Sequence, residues 1–144
     1  MRLHFTIYLP DNPNVTSQEK GFNKFTGQFY TKTEVTNLKN TYYHEIRKVM
    51  FVNKLTAPRY TGAVRLKTTF TFASSVKKNW GLYKLSKPDC DNMVKALQDV
   101  LGDMDFFETG DQQVVDLQVI KLWGSKPSVE IEIEEVEDEI RTTL

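Results

Sequence analysis

The first nine residues alternate: Leu3, Phe5, Ile7 and Leu9 are apolar, with Arg2, His4, Thr6 and Tyr8 between them. Period two predicts a half-buried strand. Pro10-Asp11-Asn12-Pro13-Asn14 breaks it and opens a loop to about Tyr30. In and just after that loop, Lys20, Lys24 and Lys32 are interleaved with Phe22, Phe25, Phe29 and Tyr30. Such a segment is either a nucleic-acid surface or a loop pinned to the core by its aromatic rings. Thr31-Lys32-Thr33-Glu34 has the form of a capping box, and Val35, Leu38, Tyr42, Ile46, Val49 and Met50 continue at helical spacing to about Asn53. After a turn at Pro58–Gly62, residues 63–73 alternate again, setting Val64, Leu66, Thr68, Phe70 and Phe72 against Arg65, Lys67, Thr69 and Thr71. A second helical stripe, Met93, Val94, Leu97, Val100, Leu101 and Met104, follows a connection from Ser74 to Ser86.

Two further strands, about 113–122 and 128–136, the second setting Val129, Ile131 and Ile133 against Glu130, Glu132 and Glu134, flank Trp123-Gly124-Ser125-Lys126-Pro127, which reads as a hairpin turn. The acidic tail, Glu135–Leu144, is expected to fray. The order strand, helix, strand, helix, strand, strand predicts an α+β fold. In it a small mixed sheet is covered by two helices, in one domain spanning 1–144.

Composition narrows this little until charge is divided by position. The chain has 144 residues with 40% hydrophobic and 26% charged content, ordinary values for one globular core. Cys90 is the single cysteine, so no internal disulfide forms, and a reducing cytoplasm fits. No segment reads as a signal peptide or a membrane span. The formal net charge is zero. Yet residues 1–88 hold 15 Lys+Arg against 4 Asp+Glu, and residues 89–144 hold 4 against 15. Either the basic half faces phosphate while the acidic half holds a cation, or the two halves interleave and cancel.

The acidic residues concentrate around the second helix. Residues 87–114 contain seven carboxylates, Asp89, Asp91, Asp99, Asp103, Asp105, Glu108 and Asp111, against Lys87 and Lys95. Asp91, Lys95 and Asp99 share a helix face, and Asp89 stands at its mouth. A strand beginning after Asp111 is expected to return that residue to the helix start, bringing three carboxylates and a lysine together. Close carboxylates repel unless a cation lies between them, and hard oxygen ligands suit Mg²⁺ or Mn²⁺. Such a cation serves phosphoryl transfer by activating water and neutralising charge. The plainer reading makes Asp89 and Asp91 helix caps and Lys95 a partner of Asp99. A calcium loop at Asp103–Glu108 is a weaker alternative, lacking the third ligand and the glycine. Trp80 and Tyr83 are placed either to stack on DNA or to pack beneath their loop.

The string K-P-D-x-D-N-x-x-K-A-L-x-D-x-L over Lys87–Leu101, with D-x-Q-V over Asp111–Val114, resembles the RusA family of Holliday-junction resolvases. The loop after the first strand is similar too. The resemblance implies an α+β endodeoxyribonuclease that acts in recombination and repair, often in phages and prophages. It would be a homodimer that cuts a four-way junction by paired nicks. Asp89, Asp91 and Asp111 would bind Mg²⁺ (or Mn²⁺), Lys95 would be the catalytic lysine, and Asp99 would support them from behind. Lys77, Lys78, Lys84, Lys87, Lys20 and Lys24 are the candidate DNA contacts. The family usually carries two adjacent aspartates where Gly110-Asp111 stands here, which leaves Glu108 as a possible substitute. The alternative is a binding module for branched DNA without catalysis.

Overall fold

The computed structural model describes residues 1–13, 20–23, 25, 28–31 and 33–138, without the side chains of 20–23, 28–31, 33 and 34. In chain order the strands and helices are β1 (Arg2–Tyr8), β2 (Lys20–Asn23), β3 (Gln28–Thr31), α1 (Thr33–Val52), β4 (Val64–Ala73), α2 (Cys90–Asp103), β5 (Val114–Gly124) and β6 (Ser128–Glu135). Four strands form a mixed sheet in the order β1-β6-β4-β5, with β4 and β5 parallel and the other pairs antiparallel. The predicted α+β class is the observed one. The expected loop to Tyr30 instead contains a separate hairpin, β2 with β3. Runs of four residues are too short for period two to distinguish them from loop. The capping box expected at Thr31–Glu34 depends on side chains outside the described residues.

The alternation predicted for β1, β4 and β6 is real. Leu3, Phe5 and Ile7 of β1, the even positions Val64–Phe72 of β4, and Val129, Ile131 and Ile133 of β6 all face inward. The helices close this face with Tyr42, Ile46 and Met50 from α1 and Met93, Leu97 and Leu101 from α2. Two aromatics just past α2, Phe106 and Phe107, are also buried, and the adjoining main chain pairs with Tyr60. The calcium-loop alternative therefore falls on a turn committed to the core.

The strand order corrects one expectation. Residues 123–127 are not a hairpin turn, because β5 and β6 are not neighbours: β4 lies between them. The chain leaves β5 at Gly124, crosses the end of β4, and returns as β6 on its other side. Gly124 permits the crossing, since a Cβ there would lie 2.4 Å from Thr71 Cγ2. The end of β6 is tied down as well. The Glu135 carboxylate accepts from the main-chain N–H of Thr61 (2.9 Å) and Gly62 (3.2 Å), and Val136 N–H bonds Ala63 O (2.9 Å). Those backbone donors hold the Glu135 carboxyl below its ordinary pKa. Fraying thus does not begin at Glu135, and residues 139–144 lie outside the described residues.

Among the described residues, one buried side-chain polar atom lacks a hydrogen bond, the Tyr42 hydroxyl. Burial pushes its ionisation far above the ordinary tyrosine range. Tyr42→Phe should leave stability unchanged or raise it by about 1 kcal/mol, because an unpaired hydroxyl is removed from the core. Urea denaturation of both proteins checks this, and a loss beyond about 1 kcal/mol would mean that the hydroxyl has a partner.

Candidate active site

The acidic helix begins where the sequence pattern placed it. Pro88 is buried and joined to Lys87 by a cis peptide, and Asp89 takes the N-cap position with extended φ and ψ of −74° and 151°. Its carbonyl accepts the first helical bond from Met93 N–H (3.1 Å), yet its side chain makes no capping bond. An aspartate at this position ordinarily satisfies one of the free amides of the first turn. Here that carboxylate remains available, exposed at the positive end of the helix beside exposed Asp91. Lys95, one turn on, is exposed and forms no ion pair or hydrogen bond with another described residue. Asp99 does not pair with Lys95: its carboxylate meets Lys39 Nζ of α1 at 3.0 Å. Its observed work is to join the two helices.

Two lysines hold the approach to Asp89. Lys84 Nζ donates to Ser86 Oγ (2.6 Å) and to Lys87 O, and Lys121 Nζ on β5 donates to Ser86 O and Pro88 O, both at 2.8 Å. The Lys84 ammonium also lies 4.9 Å from the Phe72 ring centroid and 5.0 Å from that of Trp123. Burial lowers the Lys84 pKa, and the neighbouring Lys121 charge lowers it further. Lys84 was expected to face DNA; it is instead 7% exposed and turned inward. Nothing in the spacing distinguishes such a lysine from a surface one.

Asp111 is exposed in a short 3₁₀ turn, Asp111–Gln113, at the foot of β5. Gly110 before it has φ 135°, a conformation that disfavours side chains, and a Cβ would lie 2.4 Å from Gln112 Oε1. Any side chain at position 110 is therefore strained by the backbone itself, even where Gln112 moves aside. Gln113 organises the turn. Its Oε1 accepts from Thr109 N–H (2.7 Å), and its Nε2 donates to Tyr60 O (2.8 Å) and Gly62 O (2.9 Å). The D-x-Q-V string carried this signal without revealing the role of its glutamine.

The expected convergence of three carboxylates is not met within one chain. The start of α2 is fixed to the middle of β5, where Cys90 Sγ lies 3.6 Å from Val119 O. Val114 to Val119 spans about 16 Å of strand, and Asp111 precedes Val114. The two acidic groups therefore lie at different levels of β5, with Glu108 exposed on the Asp111 side. Among the described residues no three His, Cys, Asp or Glu side chains are arranged to hold a metal. Asp89 and Asp91 offer hard oxygens that fit Mg²⁺ or Mn²⁺, ions that bind through one or two carboxylates and fill their remaining positions with water, phosphate oxygen or a further carboxylate.

The charged halves of the chain partly interleave. On the open sheet face, Glu132 meets Arg2 (3.2 Å) and Lys67 (3.7 Å), His4 meets Glu130 (2.7 Å), and Arg65 meets Asp116 (2.8 Å) and Glu134 (3.2 Å). By contrast, Lys77, Lys78 and Lys87 are exposed and make no ion pair with a described residue. The Lys24 residue and the Lys20 side chain lie outside the described residues. Trp80 is held by an indole N–H bond to Ser74 O (2.8 Å), with Lys77 over its ring at 5.9 Å. Tyr83 and Leu85 are more open, at 71% and 95% exposure.

Fold and site together define a small α+β protein with free carboxylates at a helix mouth beside unpaired lysines, the composition of a nuclease. The family model "Endodeoxyribonuclease RusA" matches residues 11–134, and the chain belongs to that family. It is 34% identical over 140 residues to the "Crossover junction endodeoxyribonuclease rusA" of Lactococcus phage r1t, covering 94% of this chain and 100% of the relative. A shorter match, 45% identical over 51 residues, links it to the "Uncharacterized protein YqaN" of Bacillus subtilis (strain 168), covering 35% of this chain and 34% of that protein.

Gln113→Leu should cost about 1 kcal/mol in urea denaturation, because it removes the side-chain bonds to the Thr109 amide and the Gly62 carbonyl and one of the two bonds to the Tyr60 carbonyl. A loss under about 0.5 kcal/mol would show that water replaces the glutamine at no cost.

Proposed function

We propose that this chain, as one nuclease domain, resolves four-way DNA junctions by paired nicks as a cytoplasmic homodimer. Asp89, Asp91 and Asp111 hold a divalent cation, Mg²⁺ with Mn²⁺ as a substitute. The observation that carries the reading is Asp89, an N-cap residue whose side chain does not cap. Held by these residues, Mg²⁺ would supply Lewis-acid activation of water and charge neutralisation at the scissile phosphate. The chain's own groups do the rest. Asp89 and Asp91 present four oxygens at the positive end of α2, Lys95 offers its ammonium one turn along to the phosphate, and Lys77, Lys78 and Lys87 retain the backbone through charge. The family of the chain and the name of its phage relative support the same substrate. Among the described residues no helix is long and apolar enough to cross a membrane.

The split carboxylate set supports a second copy. The outer edge of β5 is covered at residues 121–123 by the segment Gly81–Lys84, through bonds such as Lys84 N–H to Lys121 O (3.0 Å) and Trp123 N–H to Leu82 O (3.0 Å). Toward its foot the edge faces no other strand of the described sheet, and Val115 (65%), Asp116, Leu117 (45%) and Gln118 are exposed on both strand faces. Open edges with apolar side chains invite another strand. Two β5 strands paired antiparallel about a two-fold axis between Val115 and Leu117 would set Asp111 of the partner subunit level with Val119 to Trp123. That is the level at which the start of α2 lies beside β5, through Cys90 against Val119 and the Lys121 bond to Pro88 O. Paired nicks on opposed DNA strands require the same symmetry.

Purified protein incubated with a synthetic four-way junction and a matched duplex, with Mg²⁺ or with EDTA, tests the function. Symmetric nicks in the junction alone, seen only with metal, are expected. Asp91→Asn should bind the junction with wild-type affinity and lose cleavage by at least about 100-fold. Cleavage retained in Asp91→Asn refutes the site, and junction binding without any cut identifies a binding module instead. Leu117→Asp should shift the protein to monomer in sedimentation and abolish cleavage. A dimeric, active Leu117→Asp protein would place the interface elsewhere.

A further inference from the structure

Lys84 and Lys121 together make four hydrogen bonds to three consecutive residues, Ser86, Lys87 and Pro88, and the next residue is Asp89. The two lysines are adjacent across the short pairing of Tyr83 with Leu122 and the Lys84 N–H bond to Lys121 O. No described carboxylate forms an ion pair with either ammonium. Two like charges placed together, one of them buried between Phe72 and Trp123, are unfavourable for folding. An apolar side chain at position 84 would fill that space without the desolvation cost. Beyond the ring faces against Lys84, the two ammonium groups gain three carbonyl oxygens and the Ser86 hydroxyl at fixed directions, and all four belong to the segment that aims Asp89.

We propose that Lys84 and Lys121 are positioning residues, a two-ammonium clamp that fixes Ser86–Pro88 and so orients the Asp89 and Asp91 carboxylates toward their cation. This rests on the nuclease reading above, and it adds a role for two lysines that touch neither DNA nor metal. Lys121 reaches the clamp from β5, the strand whose foot carries Asp111. The clamp therefore ties the helix-mouth carboxylates to the same strand that sets the level of the third.

The test is a set of four variants, Lys84→Met, Lys121→Met, Lys84→Arg and Lys121→Arg. The readouts are thermal midpoint, junction affinity in EDTA, Mn²⁺ binding to the junction-bound protein by calorimetry, and the Mg²⁺ dependence of cleavage. The methionine variants should keep the midpoint and the junction affinity while Mn²⁺ affinity and maximal cleavage each fall about 10- to 100-fold. Lys121→Arg, which retains donors near the same carbonyls, should recover part of both. The clamp is overturned if the methionine variants match wild type in Mn²⁺ affinity and cleavage, or if their losses follow a lowered midpoint and weakened junction binding. A variant too unstable to purify counts as the latter outcome. A wild type that binds Mn²⁺ without cutting refutes the nuclease reading but leaves the calorimetric comparison in force. One that does neither overturns both.

Discussion

The burial of one face of α2 constrains everything near the site. Met93, Val94, Leu97, Val100 and Leu101 are nearly inaccessible, and each such side chain contributes about 1.5–3 kcal/mol by leaving water. With that face fixed against α1 and the sheet, the rotation of the helix is no longer free. Asp91 and Lys95 must point outward, and Asp99 must meet α1, where Lys39 receives it. The exposed carboxylates are thus a consequence of the core, and their availability depends on which of them the fold then neutralises.

The fold neutralises charge selectively. Glu130, Glu132 and Glu134 of β6 lie between β1 and β4, so the basic residues of those strands pair with them across the open sheet face. Such exposed pairs contribute little stability each, but they remove that face as an anion-binding surface. Lys77, Lys78, Lys87 and Lys95 escape this cancellation, as do Asp89, Asp91 and Asp111. All of these lysines lie within the connection leading to α2 or on α2 itself, so charge of both signs remains unpaired among the described residues of that stretch.

Periodicity made the main elements legible, because alternation and helical spacing are direct images of one-sided burial. It could not order the strands. The run Trp123–Pro127 has the residues of a tight turn, and only the position of β6 beside β1 and β4 shows that the chain crosses over β4 there. The site divided in the same way. The D-x-D pair and Lys95 were legible because local spacing on one helix sets their geometry. Asp111 was misplaced because its level depends on how β5 registers against β4, a long-range fact. Lys84 and Lys121 were illegible for a related reason: a lysine that donates to carbonyls looks like any other lysine until the carbonyls are in place.

The division of the carboxylates has a physical logic of its own. Three aspartates gathered in one chain would repel one another whenever the cation is absent, and the folded monomer would bear that cost continuously. Holding Asp111 at a different level of β5 from Asp89 removes the cost from the free chain. On the two-copy reading the carboxylates meet only as subunits pair, so the cation binds the dimer in preference to the monomer. Linkage then requires the cation to stabilise the dimer by the same free energy. Gly110 fits this economy, since an aspartate in its place would add another negative charge beside Asp111 and strain a backbone held at φ 135°. On the same two-copy reading, glycine at position 110 would lower the charge that each subunit carries to the shared site, while Gln113 holds the turn that contains Asp111.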